Sequence, residues 1–279
     1  MALVVNTNMM SLIAQKNLGK STESLTKSVQ RLSSGLRINS AADDAAGLAI
    51  STQLKADILS VNQAVRNAND AVSLLQTAEG ALSEVGNILL RMRELAEQAA
   101  NGSLGDTERG YLNSEYLALK EEITRISNVT EFAGAKLLDG AISAGVNFQV
   151  GFKTGTGNTL TFKMAQTDAA KLGLDTVGGS EISSAAAAQS AMALIDASAI
   201  NILSARRGDI GALQNRLEYT VANLRVTSEN YSAANSRIED ADFALESANY
   251  VKNQIIMQAG LSVLAQANMT PQAALSLLG

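Results

Sequence analysis

The sequence predicts a mainly α protein, an elongated antiparallel helical bundle or coiled-coil rod with a small β-hairpin at its outer end. Three observations carry this prediction. Through most of the 279 residues, apolar positions recur at steps of three and four, the period of helices packed along narrow seams. Hydrophobic residues make up 46% of the chain but aromatics only 4%, with no Trp and one Pro. Buried area must therefore come from Ala, Leu, Ile and Val between helices and not from a large aromatic core. Only near 146–164 does the period change to two.

The elements follow in order. A first arm over about 3–36 carries Leu18, Leu25, Val29, Leu32 and Leu36 on one side and weakens at Ser33-Ser34-Gly35. This stripe is too narrow to make a core alone. After a connector at 37–40, Ser40-Ala41-Ala42-Asp43 has the spacing of a capping box that opens a new helix. Asp43 and Asp44 then read as a cap and a solvated first turn favoured by the helix dipole. Paired acid/base carboxylates are the weaker reading, because no cleft is implied nearby.

The helix that follows has its seam at Leu54, Ile58, Val61, Val65, Ala68, Val72 and Leu75, then restarts at Leu82, Val85, Leu89, Met92, Ala96 and Ala99. The restart predicts a local overwinding near Glu79-Gly80. Asn101-Gly102 ends the helix, which would be roughly 85 Å long. A second helix has its seam at Leu112, Tyr116, Leu119, Ile123 and Ile126. A third, over about 188–238, is marked by Ile195, Ile202, Ile210, Leu213, Leu217, Leu224, Tyr231 and Ile238. Three such helices can bury one another's stripes.

Between the last two, 146–152 and 159–164 alternate in polarity around a Thr-Gly-Thr-Gly-Asn turn, which predicts a hairpin with one apolar face. Four of the five Phe lie there or at Phe132. The stretch 173–187 reads as a loop or loose helix start. A C-terminal arm carries Leu245, Ala248, Ile255, Ala259, Val263 and Ala267, with a Leu-rich tail at Leu275, Leu277 and Leu278. The expected divisions are 1–40, 41–140, 141–187, 188–240 and 241–279.

Composition removes several function classes. The chain has no His and no Cys, so no imidazole base, thiolate nucleophile or soft metal ligand is available, and no cofactor is expected. Glu121, Glu122, Asp240 and Asp242 read as solvated faces or inter-subunit ion pairs. With a net charge of −5 and no basic run, nucleic acid is not an expected partner. No apolar stretch of membrane-span length is seen, and the first residues lack the pattern of a cleaved secretory signal. Both terminal stripes lack a partner, which fits a subunit that polymerises.

Several ordered segments carry a family resemblance. Arg31 to Arg37, Asn39 to Ile50 (NSAADDAAGLAI) and Arg93 to Ala96 resemble the N-terminal region of bacterial flagellin. Gln214 to Glu218, Ser236 to Asp242, Leu264 to Asn268 and Leu275 to Leu278 resemble its C-terminal region. Many members carry large outer domains after a Phe-Gln-Val-Gly segment, which stands here at 148–151. Only about 36 residues follow before the last long helix, so the chain resembles a minimal flagellin.

The resemblance implies a structural subunit, not an enzyme, that polymerises into the extracellular flagellar filament used for swimming. The arms would pair along the inner tube through Leu18, Leu25, Val29, Leu32, Leu36, Leu245, Ile255, Ala259, Val263, Leu275, Leu277 and Leu278. It further implies unfolded export without a cleaved signal peptide. The implied partners are other copies of the chain, an export chaperone, the filament cap and the hook-junction proteins. Arg91, Leu95 and Glu115 fall at the positions of the patch read by the vertebrate flagellin receptor, with axial contact between subunits as the plainer role. A hook-filament junction protein is the near alternative. A coiled-coil signalling module would explain the heptads but neither the two incomplete ends nor the hairpin.

Overall fold

The computed structural model describes residues 7–176 and 180–275, with side chains at the C-terminal end described as far as Met269. Leu277 and Leu278 of the expected packing set lie outside the described residues, as does the side chain of Leu275. The chain forms two compact units, one of residues 59–228 and one of residues up to 58 together with those from 229 onward.

In the 59–228 unit the core lies among three helical runs: α2 (Ala45–Ala100), α3 (Asp106–Val129) and α4 (Ala185–Leu194) continued by α5 (Ile200–Glu239). Along α2 the buried seam positions, with Leu74 and Leu95 buried beside them, are Val61, Ala64, Ala68, Ala71, Leu75, Ala78, Leu82, Val85, Leu89, Met92, Ala96 and Ala99. They alternate steps of three and four without a break, so the overwinding expected at Glu79-Gly80 is absent. Alanines 64, 71 and 78 hold the seam, and the larger Val65 and Val72 flank it half-buried. Small seam residues let two helix backbones approach closely, which a search for large side chains passes over.

On α3, Tyr116 and Ile123 are buried, with Leu112, Leu119 and Ile126 half-buried beside them, in the expected register. Burial of Tyr116 pushes its phenol up to about 12. The third run contains a π turn at Ile195–Ala199. The extra residue of a π turn advances the seam by one position. Burial accordingly passes from Ile195 to Ala199 and Leu203, and Ile202 is only half-buried. Asn201 Nδ2 donates to the carbonyls of Ala197 at 3.0 Å and Asp196 at 3.3 Å, groups that the wider turn leaves underused. By length and composition alone, the run Ala185–Glu239 is apolar enough to cross a membrane, against the reading of the sequence. Ala188, Ala191, Ile195 and Ala199 nonetheless pack in this core.

The hairpin is present as β3 (Val146–Gln149) and β4 (Thr159–Phe162), with Val146 opposite Phe162 and Phe148 opposite Leu160. A two-residue ladder, β1 (Glu131–Phe132) with β2 (Ala135–Lys136), precedes it. Leu137, Leu138, Leu172, Leu174 and Ile182 close the core from connecting segments. Lys120 Nζ to Asp175 at 2.5 Å and Ile182 N–H to Asn113 Oδ1 at 2.7 Å hold the last of these segments to α3.

In the other unit, α1 (Met9–Ser34) packs antiparallel on α6 (Phe243–Leu275). Asn8 caps α1 by accepting the Ser11 N–H and donates its own amide to the Ala267 carbonyl at 2.8 Å. At the other end, Gly35 adopts φ 73° and its N–H closes on the Arg31 carbonyl, a left-handed cap suited to glycine. The connector is stitched to the segment before α6. Ala241 N–H donates to Gly35 O at 2.9 Å, and Arg37 N–H to Glu239 O at 2.6 Å.

The helix opening after the connector is capped by Asp44, four residues later than the Ser40 cap that the Ser40–Asp43 spacing predicts. Asp44 Oδ1 accepts the Gly47 N–H at 2.9 Å. Asp43 instead closes a turn by accepting Ser40 Oγ–H and the N–H groups of Asn39 and Ser40, which hold its carboxyl below the usual range.

Candidate functional site

The seam between α1 and α6 is narrow and mixes small residues with large ones. On α1 it runs through Ser11, Ala14, Leu18, Ser21, Leu25, Ser28 and Leu32. On α6 it runs through Glu246, Tyr250, Asn253, Met257, Gly260, Leu264 and Ala267. A Cβ at Gly260 would stand 3.1 Å from Leu18 Cδ1, so the two backbones approach there without a side chain between them. Arg31 Nη1 pairs with the buried Glu246 at 3.6 Å.

This register corrects the stripe chosen from sequence. Leu18, Leu25 and Leu32 do face α6, and Leu36 is half-buried in a bridge to Asp240. Val29 is exposed, however, and so are Leu245 (62%), Ile255 (59%), Ala259 and Val263 (59%) on α6. Phe243, Val251, Ile256, Leu261 and Met269 are exposed as well. α6 is therefore apolar on nearly every side, and α1 covers one of them. A helix hydrophobic all round belongs in an interior.

Glu239, which the sequence reading did not single out, organises the segment before α6. Its buried carboxylate accepts Lys55 Nζ at 2.5 Å, Ser51 Oγ–H at 2.6 Å and Asn235 Nδ2 at 3.3 Å. The Lys55 ammonium, then the Ser51 hydroxyl, hold its carboxyl below the usual range. Asp242, read as a solvated charge, caps α6 by accepting the N–H groups of Ala244 and Leu245.

On the 59–228 unit, Arg91 and Glu115 meet directly. Arg91 Nε and Nη2 donate to Glu115 Oε1 at 2.9 and 2.8 Å, and Nη1 reaches Glu94 at 3.2 Å. These carboxylates, Glu115 foremost, raise the Arg91 pKa. Leu95 stands four residues from Arg91 but is fully buried, so it supports this surface from beneath and presents none of it. Glu122 pairs with Arg125 on its own helix at 2.6 Å. Arg109, also unremarked in the sequence, is buried and donates to the carbonyls of Ala99 and Asn101, which closes the end of α2. Among the described residues no cluster of His, Cys, Asp or Glu could hold a metal ion.

The arrangement is that of an assembly subunit: helical seams complete in themselves, and one terminal helix with most of its apolar surface uncovered. The model of the bacterial flagellin N-terminal helical region matches residues 5–143, and that of the C-terminal helical region matches residues 192–278. The chain belongs to the bacterial flagellin family, a family of structural proteins.

A flagellin of Halalkalibacterium halodurans is 43% identical over 280 residues, covering 99% of this chain and all of that one. The flagellar filament 33 kDa core protein of Treponema phagedenis is 40% identical, again over 99% of this chain and all of its own length. The crystal structure of Bacillus cereus flagellin matches with a TM-score of 0.50 and 34% identity, over 61% of this chain and 94% of that one. End-to-end alignment with relatives of this size fits a short flagellin without large outer domains.

Proposed function

We propose that copies of this chain polymerise into the extracellular filament of the bacterial flagellum. The observation that carries the reading is α6, apolar on nearly every side yet covered only along the α1 seam. Burying a large aliphatic side chain yields about 1.5–3 kcal/mol, and neighbouring copies are the partners that could supply that burial. Residues 1–40 and 241–279 would line the inner tube, with 41–140 and 188–240 outside them and 141–187 at the surface. Electron microscopy of cells lacking this chain tests the proposal. Loss of filaments is the expected result, and full-length normal filaments would contradict it where no second flagellin is present.

The absence of Cys, and with it of disulfides, suits a subunit exported unfolded without a cleaved signal. The apolar C-terminal region would be held by a chaperone before export, and the cap and hook-junction proteins would meet the same terminal helices. The exposed Arg91–Glu115 pair supports a surface read by a vertebrate receptor. Signalling by Arg91→Ala monomers should fall, and unchanged signalling would remove that reading.

A further inference from the structure

Between the turn that precedes β3 and the outer face of α5 lies a cavity of about 350 Å³, lined by Ser143, Lys163, Met164, Ala165, Arg206 and Asp209. Nothing in filament assembly as argued above uses it. Arg206 is half-buried, and its Nη1 donates to the Gln166 carbonyl at 2.8 Å and to Thr167 Oγ1 at 2.5 Å. Both acceptors are neutral. Among the described residues no carboxylate lies within ion-pair distance of this guanidinium. Asp168 acts on it only at longer range and accepts the Lys171 N–H.

Burial accordingly lowers the Arg206 pKa, only partly offset by the more distant Asp168, the mark of a cation losing water without gaining a close counter-ion. Its Nε–H and Nη2 donors have no partner among the described residues, and the same holds for Lys163 Nζ and Ser143 Oγ. A guanidinium fixed in plane by two bonds presents its remaining donors in the fork that carboxylate and phosphate oxygens fit. Met164 is buried and forms an apolar floor, with Ala165 exposed beside it on the lining. Asp209 on the rim can accept a hydroxyl but not an anion.

We propose that this cavity binds a small organic acid bearing a hydroxyl. Its carboxylate or phosphate oxygens are taken by Lys163 and the unused donors of Arg206. Its carbon frame lies on Met164 and Ala165, and its hydroxyl is held by Asp209.

The test is a nuclear magnetic resonance titration of the full chain, labelled with nitrogen-15 and kept dilute enough to be monomeric. Glycerol 2-phosphate and lactate serve as the two probes, and the Arg206 Nε–H and Ser143 amide signals are followed. The expected result is saturable shifts with both probes, confined to the cavity. Lys163→Met, at an exposed position, should weaken binding roughly tenfold, as loss of one charged hydrogen bond implies. Asp209→Asn should tighten the phosphate about threefold by removing a like charge. Shifts that never saturate, or that Lys163→Met leaves unaltered, would reduce the finding to an adventitious ion and overturn the proposal. Shifts that follow protein concentration would overturn it too, because they would place an acidic side chain of another copy in the cavity.

Discussion

Replacing Ile255 by alanine separates what holds one subunit together from what joins subunits. Ile255 is 59% exposed in the isolated chain, on the side of α6 away from α1. Full burial of such a side chain yields about 1.5–3 kcal/mol, and more than half of its surface remains in water. Assembly that covers it should therefore gain about 1–2 kcal/mol from this residue, most of which Ala forfeits. A loss of 1.4 kcal/mol is tenfold in an equilibrium constant, so the critical concentration for polymerisation should rise about fivefold to twentyfold. Sedimentation of filaments against free subunit measures this directly. The melting of the monomer, followed by circular dichroism, should barely move. Leu18→Ala is the contrast, because Leu18 packs against Gly260 inside the subunit and its loss should lower monomer stability as well. An unchanged critical concentration for Ile255→Ala, or a monomer destabilised as much as by Leu18→Ala, would refute the assignment of this face to assembly.

Other substitutions test the interior. Leu89→Ala, at a fully buried seam position, should cost about 2–5 kcal/mol by urea denaturation, the range for a cavity left in a packed core. Gly260→Val should push α6 away from α1 and cost about 1–3 kcal/mol by overpacking, read as lost helical signal and faster proteolysis of the terminal segments. Glu239 has a carboxyl pKa below its ordinary 4.5, so its stabilising effect is fully present above that value and is lost as the pH falls through the lower folded value. Glu239→Gln should therefore lower stability at neutral pH and flatten the acid limb of a urea-denaturation series below about pH 4.5.

Where large side chains carried the seam, as from Leu82 to Met92 and along α3, spacing alone placed the core correctly. It failed at positions 64, 71 and 78, where the seam alanines stand close to larger apolar residues. Ala64, Ala71 and Ala78 are fully or nearly fully buried, but the eye follows Val65 and Val72 and infers a slip that the helix does not have. The π turn left no signal either, since no Pro or Gly lies within Ile195–Ala199 to announce it. Periodicity could not select a face on α6 because nearly every face is apolar. The packed side proved to hold Glu246, Asn253 and Gly260, and the chosen side faces outward. Glu239 was out of reach for another reason. Its partners Ser51 and Lys55 are 188 and 184 residues away, and no local pattern records such a meeting. The Arg91–Glu115 pair was placed through family resemblance, since spacing cannot pair residues on different helices.

The register of the β-hairpin has a consequence for how such a chain can grow. Gln149 stands opposite Thr159, so the strand ends are held side by side where the turn begins. Any folded insert whose own termini lie close together could be spliced between them without lengthening or redirecting a single helix. The turn is thus a natural point for displaying a foreign domain, with the helical seams as an undisturbed chassis.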